Sequence, residues 1–177
     1  MHKSSDMSNF TEYDKAAAKY YNGLVINSLP IISWDFSHVF TDEIKNSILD
    51  VSRINKIATK SKWANHDWDL KSILNEEVII VTDAKLRIVF ASNNIVKMNG
   101  YKEAEILGNS PKMFHGKDTS NKTSNEIRRA VELQKPFEKS VLNYKKNGET
   151  YQCLIRGFPV FDVKGKLSHF IAFEKAA

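Results

Sequence analysis

The side chains that could perform chemistry in this chain are few and scattered. Cys153 is the only cysteine, which excludes an internal disulfide and a cysteine-rich zinc site. His115 could ligate haem iron through its imidazole, but a histidine with no partner pattern is more typical of a capping or surface residue. Lys112 and Arg128 could clamp a phosphate, although such residues on a basic chain are commonly solvated.

The arrangements that mark enzymes are missing from the sequence. It contains no Ser-His-Asp order, no glycine-rich nucleotide loop and no paired carboxylates at metal-ligand spacing. We therefore expect no enzymatic activity. The residues singled out above are better interpreted as parts of a binding site or of a packed core.

Length and composition favour a globular protein that neither crosses a membrane nor is exported. The chain has 177 residues, of which 42% are hydrophobic, enough for one domain of about 100–150 residues and an extension. Its longest apolar stretch, residues 24–34, is interrupted by polar residues and is shorter than the roughly 20 residues that a membrane span needs. The first residues lack the apolar segment of a signal peptide. We therefore predict a cytoplasmic protein.

The net charge of +5 raises the possibility of a nucleic-acid partner. The most basic region, residues 117–146, carries eight Lys or Arg against four Asp or Glu. It contains no run of about five like charges and no helix-turn-helix, zinc-finger or aromatic RNA-binding pattern. A solvated basic face is the favoured interpretation, and no nucleic acid is expected.

The N-terminal part has helical periodicity. Residues 10–22 are predicted to form a short helix, and residues 24–40 an irregular or extended segment. Thr41 is predicted to cap a longer helix that runs to about Lys60. Its apolar stripe consists of Ile44, Ile48, Val51, Ile54 and Ile57 with Ala58. This stripe must pack against the rest of the chain or against a second copy.

The pattern changes at residue 74. Residues 78–81 and 86–91 are predicted to form two short strands joined by a turn, and residues 137–144, 150–160 and 166–173 three more. Between the two groups, helices are predicted over residues 93–98, 102–107 and 123–133. The last of these opens with a capping-box pattern at Thr123 to Glu126. Five antiparallel strands with helices gathered on one face would bury this pattern economically.

This order of elements, together with four motifs, resembles the PAS family of sensory domains. The motifs are Asn99-Gly100-Tyr101, Glu105-Ile106-Leu107-Gly108, Asn143-Tyr144-Lys145-Lys146-Asn147-Gly148 and Gly165-Lys166-Leu167-Ser168-His169-Phe170-Ile171. Within that family the chain is most similar to the flavin-binding light, oxygen or voltage (LOV) branch, because residues 88–92 and 101–116 follow its motif without a gap. The resemblance implies an α+β PAS fold over residues 74–177, with residues 1–73 as an N-terminal helical extension.

The LOV resemblance also implies a set of ligand-facing positions for a flavin such as FMN. The position of the cysteine that bonds to the flavin in light is occupied by Pro111, so the usual photochemistry is not expected. Phosphate-binding positions correspond to Lys112 and Arg128, and one ring-binding asparagine corresponds to Asn143. Three further positions carry different residues from those of the branch: Cys153, His115 and Glu174. Glu174 corresponds to the residue that relays the state of the flavin to flanking helices.

Two functional classes remain open. In the first, the chain is a stand-alone sensor whose ligand or partner signal passes through the N-terminal helix. In the second, it is a ligand-free interaction module for dimerisation. Large side chains then fill the space between sheet and helices: Phe90, Met98, Met113, Phe114, Tyr151 and Phe170. In both classes we expect a homodimer and a separate effector protein.

Overall fold

The computed structural model describes residues 32–64 and 67–176, with side chains from residue 42 onward. It divides into two units, Met1–Thr41 and Asp42–Ala177. The helices are α1 (Ile32–Lys60), α2 (Leu70–Glu76), α3 (Ile95–Asn99), α4 (Glu103–Ile106) and α5 (Asn121–Glu132), with a 3-10 turn at Pro111–Phe114. The strands are β1 (Val78–Asp83), β2 (Ile88–Ala91), β3 (Phe137–Tyr144), β4 (Thr150–Phe161) and β5 (Leu167–Ala176).

The five strands form one antiparallel sheet in the order β2-β1-β5-β4-β3. The first and last strands of the chain are central neighbours, with Val78 opposite Glu174 and Thr82 opposite Phe170. Tight turns link β3 to β4 and β4 to β5, and each has a glycine in the left-handed region, Gly148 at φ 88° and Gly165 at φ 76°. The predicted five-stranded antiparallel sheet is confirmed.

The two faces of the sheet bury different clusters because successive side chains of a strand point to opposite sides. We call the inner face the one that carries Val78, Ile80 and Thr82 of β1. Val78 and Ile80 belong to a buried cluster with Ile95 of α3 and Ile106 of α4. The helices between β2 and β3 therefore cover the inner face, as the sequence predicted.

Helices α1 and α2 cover the outer face. Ile54 of α1 is 1% exposed and joins a cluster with Ile79, Val81 and Phe173 of the sheet. Val51, Ile57, Leu70 and Ile73 pack around this cluster. Since burial of a branched side chain contributes about 1.5–3 kcal/mol, this half of the predicted stripe supplies much of the stabilisation of α1.

The other half of the stripe is exposed. Ile44, Ile48 and Leu49 are 44%, 57% and 49% exposed, respectively. The stripe therefore covers the sheet only from Val51 to Ile57, and Ile44 and Ile48 belong to neither of the two buried apolar clusters of the described residues. Of the two partners that the sequence left open, the rest of the chain accounts for the second half of the stripe.

A polar clasp fixes α1 to the segment that carries α3 and α4. The carboxylate of Asp50, buried on α1, accepts hydrogen bonds from the backbone N–H of Asn93 at 2.7 Å and from its side-chain amide at 2.9 Å. One turn further, Arg53 reaches the Glu103 carboxylate at 2.6 Å, and its guanidinium lies 4.8 Å from the ring centre of Phe90. Burial raises the pKa of Asp50 above its usual value, and the Asn93 backbone hydrogen bond opposes this shift.

Several predicted helix boundaries were wrong. Helix α1 begins at Ile32 rather than at Thr41, because residues 32–41 contain no proline or glycine that would stop it. The irregular segment predicted over residues 24–40 is therefore helical from Ile32 onward. Helix α5 begins at Asn121, since the hydroxyl of Ser120 accepts the Thr123 backbone N–H at 3.3 Å and caps the helix earlier than the predicted box.

Two further predictions concern a short helix near the N-terminus and the absence of a membrane span. The helix predicted over residues 10–22 lies outside the described residues. In the described part, no helix is both long and apolar enough to span a bilayer.

Candidate functional site

A cavity of about 510 Å³ lies between the inner face of the sheet and the helices that cover it. Its floor includes Ile80 of β1, Ile155 of β4 and Ala172 of β5, and Ile127 and Val131 of α5 form part of its wall. On this floor the small residues Gly157 of β4 and Ala172 of β5 lie opposite each other, and the Phe137 ring packs over Gly157. Its volume falls within the range of about 300–1,000 Å³ that is typical of small-molecule sites.

The apolar floor contains a few buried polar atoms without partners. The Oδ1 atom of Asn143 and the Oγ1 atom of Thr82 are both buried and form no hydrogen bond with any described residue. Both residues line the cavity. A buried polar group with no partner costs about 1–3 kcal/mol, so a ligand that satisfies these atoms would be held specifically.

Glu174 is a buried carboxyl group on the same floor. It is 4% exposed, lines the cavity and lies 3.6 Å from the Sγ atom of Cys153. Burial raises the pKa of Glu174 from 4.5 to about 7. At neutral pH a large fraction of this side chain is therefore an uncharged acid, which can donate one hydrogen bond and accept others.

Cys153 lies beside the floor of the cavity without lining it. The strand register places it on the inner face opposite Val141 of β3 and Ala176 of β5, which agrees with the predicted alternation of β4. Burial, followed by the nearby Glu174 carboxyl, raises the pKa of the Cys153 thiol well above its usual value. Because the thiolate is the reactive form, Cys153 behaves here as a small buried hydrophobe.

Basic side chains surround the helical side of the cavity. Lys112 and His115 reach it from the 3-10 turn and the residue after it, and Arg128 reaches it from α5. Arg128 also donates to the Glu132 carboxylate one turn later on α5, at 2.8 Å. Burial lowers the pKa of His115, and the positive charge of Lys112 lowers it further. These groups could receive the anionic end of a ligand.

The structure thus brings five of the six sequence-predicted site residues to one cavity: Lys112, His115, Arg128, Asn143 and Glu174. The sixth, Cys153, does not line the cavity but contacts Glu174. Asn143, Cys153 and Glu174 form a diagonal across β3, β4 and β5 on the inner face. Their roles in binding remain predictions.

Sequence reasoning missed Thr82 as a cavity residue and assigned Tyr151 to core filling. Tyr151 is 8% exposed, and its hydroxyl lies close to the side-chain amides of Asn99 and Asn143. Thr82 follows the apolar run of residues 78–81 in β1, and this change from apolar to polar residues was the one available signal. The position of the cavity relative to β1 depends on the β1–β5 pairing, which no local pattern gives.

Comparison with protein families identifies residues 76–175 as a PAS domain. Among relatives, the TWIN LOV 1 protein of Arabidopsis thaliana is 38% identical over 88 residues, which is 49% of this chain and 22% of that protein. Phototropin-2 of Oryza sativa subsp. japonica is 30% identical over 122 residues, covering 66% of this chain and 14% of the relative. The chain therefore spans less than a quarter of the length of these relatives.

Solved structures of LOV domains also superpose on this chain. The light-state structure of the Aureochrome1 LOV blue-light photoreceptor superposes with a TM-score of 0.56 at 25% identity, covering 60% of this chain and 85% of that one. The LOV domain of the Erythrobacter litoralis EL346 blue-light-activated histidine kinase has a TM-score of 0.54 at 16% identity, covering 56% and 94%. The second match shows the fold alone.

Proposed function

Because the chain belongs to the PAS domain family, with a relationship to LOV domains, we propose that it is a sensor that holds a small ligand between sheet and helices. The observation that carries this proposal is the cavity of about 510 Å³ with the unpartnered Asn143 oxygen in its floor. In this proposal, the state of the ligand is transmitted to α1 on the opposite face of the sheet.

The packing of the large side chains favours the sensor over the ligand-free module. Of the residues expected to fill the space, Phe90 packs in the cluster that contains Ile54, and Met98 and Met113 pack around Ile95 and Ile106. Phe114 and Phe170 line the cavity without closing it. A ligand-free association module has no evident use for a cavity of this size, although it remains the second candidate function.

The cavity residues fit a flavin such as FMN, the ligand that the LOV relationship suggests. Lys112 and Arg128 would hold the phosphate, and the Asn143 oxygen would accept a hydrogen bond from the N–H group of the ring. The apolar walls would enclose the ring and exclude water. A bound flavin would supply absorption of blue light and one- or two-electron redox chemistry.

Strand β5 provides a short physical connection from the cavity to α1. Glu174 faces the cavity, while the preceding residue, Phe173, faces the opposite side and packs in the cluster that contains Ile54 of α1. The Phe173 ring also lies 5.6 Å from that of Trp68 in an edge-on arrangement. A ligand whose two states contact Glu174 differently would therefore bias the packing of Phe173 and α1.

We expect FMN to bind the purified protein, and Ala172→Met to weaken this binding at least about tenfold because the longer side chain enters the cavity. Binding is measured by quenching of flavin fluorescence and by calorimetry, with riboflavin as a second probe. The matched control is Ala84→Met, which places the same side chain in an exposed turn. Equal affinities of the two variants would contradict a site in this cavity.

A second expectation concerns light. The FMN-loaded protein should not show the reversible, thiol-dependent bleaching of its blue absorption band, because Pro111 has no thiol and burial keeps Cys153 protonated. The measurement is an absorption spectrum before and after blue illumination, with Cys153→Ser as the control. A reversible bleach that disappears in Cys153→Ser would establish Cys153 as a reactive residue and contradict this expectation.

The partners and location of the protein belong to the same proposal. A homodimer is supported by the exposed apolar residues Ile44, Ile48 and Leu49, which offer a surface for a second copy. A separate effector protein, a cytoplasmic location and the absence of enzymatic activity remain predictions from the sequence. So do the assignment of residues 1–73 to the extension and the absence of nucleic-acid and membrane partners.

A further inference from the structure

Glu174 occupies an unusual position for an ionisable group. Its side chain lies on the floor of an apolar cavity and is 4% exposed. Within the described part of the chain, its hydrogen-bond partner is the Cys153 thiol at 3.6 Å, a weak donor that does not neutralise a carboxylate. No lysine or arginine of the described residues forms an ion pair with it.

The other titratable groups around Glu174 come from strand β4 and from the helical side of the cavity. Strand β4 contributes Cys153 and Tyr151, whose titrations lie at higher pH because burial raises both pKa values. On strand β1, the residue that pairs with Glu174 is the apolar Val78. The helical side of the cavity contributes Lys112, His115, Arg128 and Glu132. Of these, His115 has a lowered pKa and is therefore largely neutral above pH 6.5.

We propose that Glu174 is a specificity-determining residue of this cavity: as a neutral acid it donates its O–H to an acceptor atom of the ligand, so that binding requires this proton. The proposal rests on the proposed ligand-binding function and specifies the class of ligand. The ligand would have an apolar body for the cavity walls, an acceptor atom such as a carbonyl oxygen or an unprotonated nitrogen beside Glu174, and a donor group for the Asn143 oxygen.

The proton balance of binding follows from this arrangement. Where Glu174 is ionised in the free protein, one proton is taken from the buffer as the ligand binds, and it stays on the carboxyl group. Because the pKa of Glu174 is raised to about 7, affinity should be constant well below that pH and should fall above it. The decrease approaches about tenfold for each further pH unit.

Riboflavin is the decisive probe, because it lacks the phosphate group of FMN, whose second ionisation lies near pH 6. Its affinity is measured from about pH 6.5 to 8.5, a window in which His115 stays neutral. Calorimetry in two buffers of different ionisation enthalpy gives the number of protons taken up. Glu174→Gln should remove the pH dependence, since an amide does not ionise, whereas His115→Asn should retain it.

The possible outcomes separate the two proposals. Riboflavin affinity that falls with pH in the unaltered chain and in His115→Asn, but not in Glu174→Gln, supports the role of Glu174. Affinity that is constant with pH, with no proton uptake, overturns that role and leaves the binding function intact. Failure of both riboflavin and FMN to bind at any pH overturns the flavin-binding function together with the inference. If Glu174→Gln does not fold, the number of protons that the unaltered chain takes up on binding riboflavin tests the role of Glu174. Uptake supports that role, and no uptake overturns it.

Discussion

Replacing Ile54 by glutamate should lower the free energy of unfolding by about 4 kcal/mol or more, the largest effect that we expect from a single substitution in α1. Ile54 is 1% exposed and packs among Ile79, Val81 and Phe173 on the outer face of the sheet. A glutamate there would lose the apolar contacts and place a carboxylate among buried apolar side chains. Urea unfolding followed by tryptophan fluorescence measures the change.

Ile48→Glu is the matched control, because it makes the same substitution on the same helix at a residue that is 57% exposed. Its effect on monomer stability should stay within about 0.5 kcal/mol. Light scattering on the same samples tests the proposed homodimer. If the exposed half of the stripe contacts a second copy, Ile48→Glu reduces the measured mass. Similar losses of stability in both variants would contradict the division of the stripe into a buried and an exposed half.

The strands and their hairpin turns were predictable because their signals are local. Residues 78–81 are an apolar run, and turn residues such as Asp162 and Gly165 mark where the chain reverses. In the structure, the Asp162 carboxylate accepts the backbone N–H groups of Lys164 and Lys166, and Gly165 adopts φ 76°. Short-range chemistry of this kind fixes a hairpin without information from the rest of the fold.

The packing of α1 was not predictable to the same degree. Helical periodicity identifies an apolar stripe but does not say which of its residues the sheet covers. The division between Ile48 and Val51 depends on where α1 crosses the sheet, and the clasp of Asp50 and Arg53 fixes this crossing. Asn93 and Glu103, the partners of the clasp, are more than 40 residues away in the chain.

The candidate site shows the same limit. The family resemblance named Glu174 as a ligand-facing position, but it did not indicate how deeply this side chain is buried. It is buried because β5 continues to Ala176, which pairs with Cys153 of β4 and brings Glu174 into the interior of the sheet. Burial of an ionisable group is a property of strand pairing, so neither the charge of Glu174 nor its neighbours in sequence could indicate its raised pKa.

This raised pKa has a consequence for folding that does not depend on a ligand. The pKa of Glu174 is about 7 in the folded chain against 4.5 for an ordinary glutamate, so the folded state holds more protons between these pH values. Stability from this group is therefore fully present below about pH 4.5 and is lost as the pH rises through 7. The total loss is about 3 kcal/mol.

Glu174→Gln should remove this loss, so that its free energy of unfolding relative to the unaltered chain increases by about 3 kcal/mol from about pH 4.5 to pH 8. A fixed difference at all pH values reflects only how well the amide packs, and the pH-dependent part isolates the ionisation. The measurement is urea unfolding at several pH values. The control is Glu126→Gln, because a hydrogen bond from Lys139 lowers the pKa of that exposed carboxyl, so its contribution changes below about pH 4.5 and stays constant across the measured range. A stability difference for Glu174→Gln that is the same at every pH would show that Glu174 ionises normally inside the folded chain.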